Sequence, residues 1–321
     1  MSLLTMATKS RASRLARRRA ALADLEKGRD QGYAKTLTAL GVLSGKSTTQ
    51  EIRLRAEFIS VTQPSSVVPP AALLVNSRGH ALRVALLALF IAQTQGGSAP
   101  HVVHLPLSAV DVNTIAWEDL LLTQAAPGAG STSRLVHEKR AGSARAALKR
   151  LTMPDVSLLE LPLSGKPKGG YDQVRLFMDT GPRAVGAPVS YTVPDGSQDV
   201  VTIPMDFFLK GWVYVLEDSE IITYLMYRYL CAKNSPAHIT AEARNDRFGI
   251  KPSSWEQYWV LASSGLLDVE VDEGRRSNGT YVGMGSGATP QPHRFTLADA
   301  GLGVDALPTV LAALDRRIAA G

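Results

Sequence analysis

The sequence lacks the features that mark secreted and membrane-spanning proteins. It contains one cysteine, Cys231, so no disulfide can form within the chain and we expect a reducing compartment. Its longest apolar run, residues 84–92, is far shorter than the ~20 residues that cross a bilayer. The arginines at 17–19 are not followed by an apolar segment and a cleavage site, so no secretory signal is expected. These absences favour a cytoplasmic protein with no membrane partner.

Motifs for catalysis or cofactor binding are incomplete. Residues 41–47 end in the Gly-Lys-Ser of a phosphate-binding loop, but Leu40 occupies the position of its first glycine. His101 and His104 have the spacing of metal ligands, yet no second pair of ligands completes the site. The carboxylates at 268, 270, 272 and 273 fit a solvated strand edge better than a magnesium site. We therefore expect no enzyme activity, no cofactor and no metal.

Positive charge is concentrated at the start of the chain. Residues 1–60 hold twelve Lys/Arg against five Asp/Glu, whereas the remainder holds 23 against 24. A helix is predicted over 13–26, where Leu15, Leu22 and Leu25 form a thin apolar stripe. A basic arm attracts polyanions, although a solvated tail has the same composition. We predict a basic arm over 1–62 that is partly helical or disordered.

A first domain is predicted over residues 70–180, after a linker rich in proline and serine. The patterns predict a buried helix at 81–93, a strand at 101–107, helices at 113–124 and 134–151, and strands at 156–161 and 171–178, which flank a turn at 164–170. In the third helix Ala144, Ala147, Leu148 and Leu151 share one face, while Arg145 and Lys149 project away from it.

This first domain is basic around its third helix. Residues 133–183 hold ten Lys/Arg against five Asp/Glu. A helix followed by a basic turn is what a DNA-reading helix and its wing require, so seven cations are expected to face one way. They are Arg134, Lys139, Arg140, Arg145, Lys149, Lys166 and Lys168. An ordinary solvated helix with a basic turn is the alternative.

A second domain is predicted over residues 200–321, after a segment rich in glycine and proline. Helices are expected at 218–233, 240–248 and 307–318, and strands at 266–271 and 294–297. Gly249 is suited to end the second of these helices, and Ser253 with Glu256 forms a capping box for a further helix that Gly265 ends.

Residues 240–297 resemble a winged-helix domain of bacterial regulators and plasmid replication initiators. The resemblance is carried by Phe248-Gly249-Ile250, by Trp255 and Tyr258, and by Leu261 with Gly265-Leu266-Leu267. It implies that the second helix of the motif lies in a DNA major groove while the hairpin tip touches the backbone. The implied contacts are Lys251, Ser253, Ser254 and Gln257 in the groove, Arg244 and Arg247 on phosphate, and Arg275 and Arg276 in the wing.

A looser copy of the same layout upstream completes the prediction. We expect an α+β fold of two tandem winged-helix domains behind a basic helical arm. The expected function is sequence-specific binding of double-stranded DNA, as a nucleoid-associated, replication-initiator-like origin binder. A transcriptional regulator is one alternative. Another is a scaffold that forms a homodimer or binds protein, because residues 205–300 hold nine Lys/Arg against twelve Asp/Glu and an exposed stretch is predicted at Trp212–Val215.

Overall fold

The computed structural model describes residues 3–26, 32–45, 47–62, 68–76, 79–97, 99–111, 113–122, 133–166, 168–182, 187–251, 258–271, 274, 282, 284–286 and 292–320. Its helices are α1 (Leu3–Glu26), α2 (Gly32–Ser44), α3 (Pro70–Asn76), α4 (Ala81–Gln95), α5 (Ser133–Leu151), α6 (Asp206–Leu209), α7 (Trp212–Val215), α8 (Asp218–Lys233), α9 (Ala241–Phe248), α10 (Tyr258–Ser263) and α11 (Ala306–Ala319). Its strands are β1 (Glu51–Arg55), β2 (Val102–Val103), β3 (Leu159–Glu160), β4 (Val174–Leu176), β5 (Val200–Pro204), β6 (Leu267–Glu270) and β7 (Arg294–Leu297). Single 3-10 turns lie at Ala56–Phe58, Trp117–Leu120, Met284–Ser286 and Asp299–Gly303.

Two parts of the chain repeat one order of elements. In unit 1 (residues 81–176), α4, β2, the turn at Trp117–Leu120, α5, β3 and β4 follow one another, and the antiparallel sheet has the order β2-β4-β3. In unit 2 (residues 218–297), α8 leads to Ala237, which bridges to Phe295 of β7, and then come α9, α10, β6 and β7. In unit 1 the last strand therefore lies between the first and the second, and in unit 2 β7 lies between the bridge at Ala237 and β6.

The helices of unit 1 form as their apolar spacing predicts. Helix α4 is apolar on nearly every face, and it is buried from Ala81 to Thr94 except at Arg83. Helix α5 buries Ala144, Ala147, Leu148 and Leu151 and leaves Arg145 and Lys149 exposed. One face of α5 is thus held against α4 while the opposite face meets solvent.

Two glycines allow the sharp turns of unit 2. Helix α9 is capped at its start by Thr240, whose hydroxyl accepts a hydrogen bond from the amide of Ala243 at 3.1 Å, and at its end by Gly249 with φ +63°. Gly265 follows α10 with φ +74°, so the chain can turn back into β6. Both glycines therefore act where the sequence predicts that helices end.

Units 1 and 2 share one hydrophobic core, and a partly buried ion pair joins them. The Arg83 guanidinium of α4 lies 3.0 Å from the Asp218 carboxylate at the start of α8, and it donates to the carbonyls of Val213 and Leu216. Arg18 of α1 donates to both oxygens of the fully buried Glu220 carboxylate at 2.5 and 2.7 Å. These contacts fix α8 against both α4 and α1.

The described part of the basic arm packs on the rest of the chain. Helix α1 buries Leu15, Leu22 and Leu25 and packs along α11. Strand β1 pairs antiparallel with β5, from Glu51 opposite Pro204 to Arg55 opposite Val200. The buried Arg55 guanidinium lies 2.7 Å from the Asp179 carboxylate, so the arm is joined to the segment after unit 1 as well.

The mixture of helices with small antiparallel sheets confirms the α+β class. The helix predicted over 113–124 is wrong, because only the 3-10 turn at Trp117–Leu120 forms and Leu121 is extended, with φ −121° and ψ 132°. The amides of Trp117 and Glu118 donate to the carbonyls of Pro106 and Leu107, which ties this turn to the preceding loop.

The predicted exposure of Trp212–Val215 is also wrong. All four residues of α7 are buried, and the Trp212 indole donates to the carbonyl of Leu302 at 3.1 Å. The segment is therefore core rather than a free docking surface. None of the described helices combines the length and the apolar character that a membrane crossing needs.

Candidate nucleic-acid interface

The solvent-facing side of α5 carries positive charge, and the side chains along its middle are small. Lys139, Arg145 and Lys149 are exposed on it, and the small residues Gly142 and Ala146 are exposed between them. Helix spacing places positions 142, 145, 146 and 149 on one side, opposite the buried apolar face. This side of the helix therefore carries positive side chains around a strip of small ones.

The turn between β3 and β4 adds two exposed cations beside α5. Lys166 and Lys168 are both exposed, and Gly165 and Gly169 flank them with φ +93° and +73°. The Arg145 guanidinium carbon lies 5.8 Å from the centre of the Tyr171 ring, which belongs to the same turn. Helix and turn are therefore joined by a side-chain contact. We call this surface, formed by Lys139, Arg145, Lys149, Lys166 and Lys168, the α5–turn surface.

Arg140, one of the seven cations expected to face one way, does not lie on the solvent-facing side of α5. Arg140 is only 4% exposed, because it lies on the side of α5 that carries the buried Ala141 and Ala144. The prediction that Arg140 shares the solvent-facing side is therefore wrong. Arg134 lies in α5, but its side chain falls outside the described residues.

The first turns of α5 border an open cleft with an acidic side. The buried Glu118 carboxylate accepts a hydrogen bond from the amide of Ala109 at 3.1 Å, and the Nδ1 atom of His137 lies 3.7 Å from it. Glu138 is exposed at the same end of the helix. Negative charge here opposes phosphate, so the part of α5 from Lys139 to Lys149 is better suited to a polyanion than its first turns.

Unit 2 presents fewer cations than the resemblance implies. Lys251 is exposed directly after α9, and Arg247 is half-buried with its guanidinium carbon 5.4 Å from the centre of the Phe248 ring. Arg244 is only 3% exposed, so the structure does not place it where a phosphate would reach it. The remaining residues named from the resemblance, Ser253, Ser254, Gln257, Arg275 and Arg276, lie outside the described residues, as does the predicted capping box.

Three residues of the candidate surfaces were not anticipated from the sequence. Tyr171 was assigned to a strand, and only the fold brings its ring to Arg145. Arg316 and Arg317, in the last turn of α11, contact α10: the Arg316 guanidinium donates to the carbonyl of Ser263 at 2.7 Å, and Arg317 lies 5.6 Å from the Trp259 ring centre. The basic pair at the end of a predicted helix was the available signal.

The described residues form no metal site, and their single thiol is protonated. Within the described ranges, no three His, Cys, Asp or Glu side chains converge closely enough to hold a metal ion. Partial burial raises the pKa of the Cys231 thiol, which donates to the carbonyl of Phe295 at 3.4 Å. At neutral pH this thiol therefore remains protonated, as a packing group does.

Comparison with known proteins identifies no relative. No family model matches the chain, and neither the curated proteins nor the solved structures give a significant match. The functional argument therefore depends on the geometry and the charges described above.

Proposed function

We propose that this protein binds double-stranded DNA without catalysis, through two winged-helix units of which unit 1 makes the main contact. Its α5 would enter the major groove, and the turn at 164–170 would act as the wing on the neighbouring backbone. In unit 2 the stretch from Lys251 through α10 would have the role that α5 has in unit 1.

The observation that carries this proposal is the combination of element order and charge in unit 1. A helix, a strand, two helical segments and two strands, with the last strand in the middle of the sheet, is the order that a winged helix requires. The same order in unit 2 supports a tandem arrangement. The exposed cations of unit 1 lie on the helix and the turn that such a fold presents to DNA.

Within this class we propose a replication-initiator-like origin binder. Two units in one chain can contact neighbouring grooves, and their shared core holds them together as they do so. A transcriptional regulator would bind DNA through the same kinds of contact, so the DNA sequence that is bound decides between the two roles. The burial of α7 removes the surface that supported a scaffold role.

Charge neutralisation tests the proposal. Lys149→Gln combined with Lys166→Gln removes one cation from the helix and one from the turn. Each lost phosphate contact reduces the slope of log K against log salt by about 0.9, so the pair should reduce it by about 1.8 and weaken binding about 60-fold at 0.1 M salt. Fluorescence anisotropy with a labelled 30-bp duplex, titrated at several salt concentrations, measures both quantities.

The matched control is Arg53→Gln, which removes an exposed cation of β1 that pairs with Glu51. This variant should bind like the wild type. Equal salt slopes for the wild type and the double variant would overturn the proposal, as would the absence of any binding to duplex DNA. Sequencing of fragments captured from genomic and plasmid DNA separates the roles: repeats beside the protein's own gene favour initiation, and promoter sites favour regulation.

A further inference from the structure

We propose that Arg316 and Arg317, at the end of α11, form a second phosphate-contacting surface that extends the DNA contact of unit 2. The inference depends on the proposed function, because it assigns to the same duplex a contact by residues outside both units. In the sequence these two arginines appear only as a basic pair near the end of a predicted helix. The structure brings them onto α10.

Position is the first argument. The Arg316 guanidinium donates to the carbonyl of Ser263, and the Arg317 guanidinium carbon lies 5.6 Å from the centre of the Trp259 ring. Ser263 and Trp259 are four residues apart and therefore lie on one side of α10. The end of α11 is thus held along the helix that unit 2 would present to DNA.

Exposure and charge are the second argument. Both arginines are exposed although each makes a contact with α10. The neighbouring Asp315 carboxylate is engaged by Arg19 of α1, which donates to it at 2.8 and 3.1 Å. Arg19 thus balances the carboxylate next to the pair, and the end of α11 keeps a net positive charge.

Preorganisation is the third argument. A guanidinium that stacks on an indole or donates to a carbonyl keeps further N–H groups for an anion, because it has five in a fixed fork. A phosphate that meets these two side chains therefore meets groups whose orientation is already restricted. Two arginines in the last turn of a helix also complement its dipole, and without a DNA contact their roles would be this one and the contacts with α10.

The cations of this surface compensate for the charge of unit 2. Residues 205–300 carry more carboxylates than cations, and Asp268 and Glu270 are exposed on β6. Phosphate contacts dominate the affinity for nucleic acid. Arg316 and Arg317 supply such contacts from an element that follows unit 2 in the chain but packs on it.

The test compares Arg316→Gln/Arg317→Gln with Arg316→Lys/Arg317→Lys, using the full chain and the same labelled 30-bp duplex. The Gln pair should reduce the salt slope by about 1.8 and weaken binding about 60-fold at 0.1 M salt. The Lys pair keeps both charges and should retain the wild-type slope. Circular dichroism and the urea midpoint of each variant show whether α11 still packs on α10.

A wild-type slope for a folded Gln pair would overturn the inference while leaving the proposed function intact, provided that Lys149→Gln/Lys166→Gln still weakens binding. A lower slope for both the Gln pair and the Lys pair would also overturn it, because the loss would then follow the contacts with α10 rather than the charge. The absence of DNA binding by the wild type would instead refute the proposed function itself.

Discussion

Gly249→Ala should destabilise the fold through two separable effects. Gly249 has φ +63°, where an alanine costs about 1–2 kcal/mol. A Cβ atom at this position would also lie 2.6 Å from the Cβ of Ala72 in α3. Carbon atoms in contact are normally about 3.5–4.0 Å apart, so the overlap is close to 1 Å. Overpacking of this kind costs about 1–3 kcal/mol, which brings the expected total to about 2–5 kcal/mol.

Gly265→Ala provides the matched control. Gly265 has a similar φ of +74°, but a Cβ there would meet nothing within 4 Å, so only the backbone cost of about 1–2 kcal/mol remains. Urea unfolding followed by circular dichroism gives the free energy of unfolding of each variant. Adding Ala72→Gly to Gly249→Ala removes the methyl group that clashes and should recover part of the loss. Equal destabilisation by the two Gly→Ala changes would refute the packing of this turn against α3.

The remaining predictions concern pH and the position of Arg145. Burial, together with the positive charge of Arg83, lowers the pKa of His80 to about 4 from its ordinary 6.5. The unfolded chain therefore binds more protons, so the stability that His80 contributes is complete above pH 6.5 and is lost as the pH falls towards 4. Urea unfolding gives the free energy of unfolding at each pH. Between pH 7 and pH 4 this free energy should fall by about 2–3 kcal/mol more for the wild type than for His80→Asn. An equal fall for the two proteins would contradict the prediction. Separately, Tyr171→Ala should weaken binding of the 30-bp duplex about 2- to 5-fold, because the ring that positions Arg145 is lost. Tyr171→Phe keeps the ring and should bind like the wild type. Equal affinities for all three proteins would show that the ring has no such role.

Local sequence signals predicted the local structure well. The spacing of Ala144, Ala147, Leu148 and Leu151 predicted which side of α5 is buried, because helix geometry alone decides that question. The ends of α9 and α10 followed from glycines, since only a residue without a Cβ adopts their backbone conformation at little cost. Strand β7 was predicted with its observed bounds.

The predictions that were wrong have two causes, a contact between distant parts of the chain and the register of a helix. Trp212 is buried because its indole reaches Leu302, ninety positions further on, and nothing near Trp212 in the sequence indicates that partner. Arg140 belongs to a cationic run, but the register of α5 turns it inward, which a count of charges does not reveal.

The candidate site was only partly predictable, because tertiary contacts determine part of it. Lys139, Arg145, Lys149, Lys166 and Lys168 were identified from charge and spacing, and the structure exposes all five. The contribution of α11 was not identified, because its two terminal arginines meet α10 only through the packing of the whole chain. Hydrophobic periodicity predicts which side of a helix faces inward, whereas the neighbours on its outer side depend on tertiary contacts.

Cleavage of bound DNA from a reagent on α5 tests the central claim most directly. Cys231→Ser removes the native thiol, and Ala146→Cys then places a single reactive thiol on the exposed side of α5, to which an iron chelate can be attached. A parallel protein carries the chelate at Val42→Cys, where the native side chain is 63% exposed on α2. With end-labelled duplex fragments captured by the wild type, the account predicts strand cleavage at a few adjacent positions from residue 146 and none from residue 42. Cleavage from residue 42 alone, or diffuse cleavage of equal strength from both positions, would contradict it.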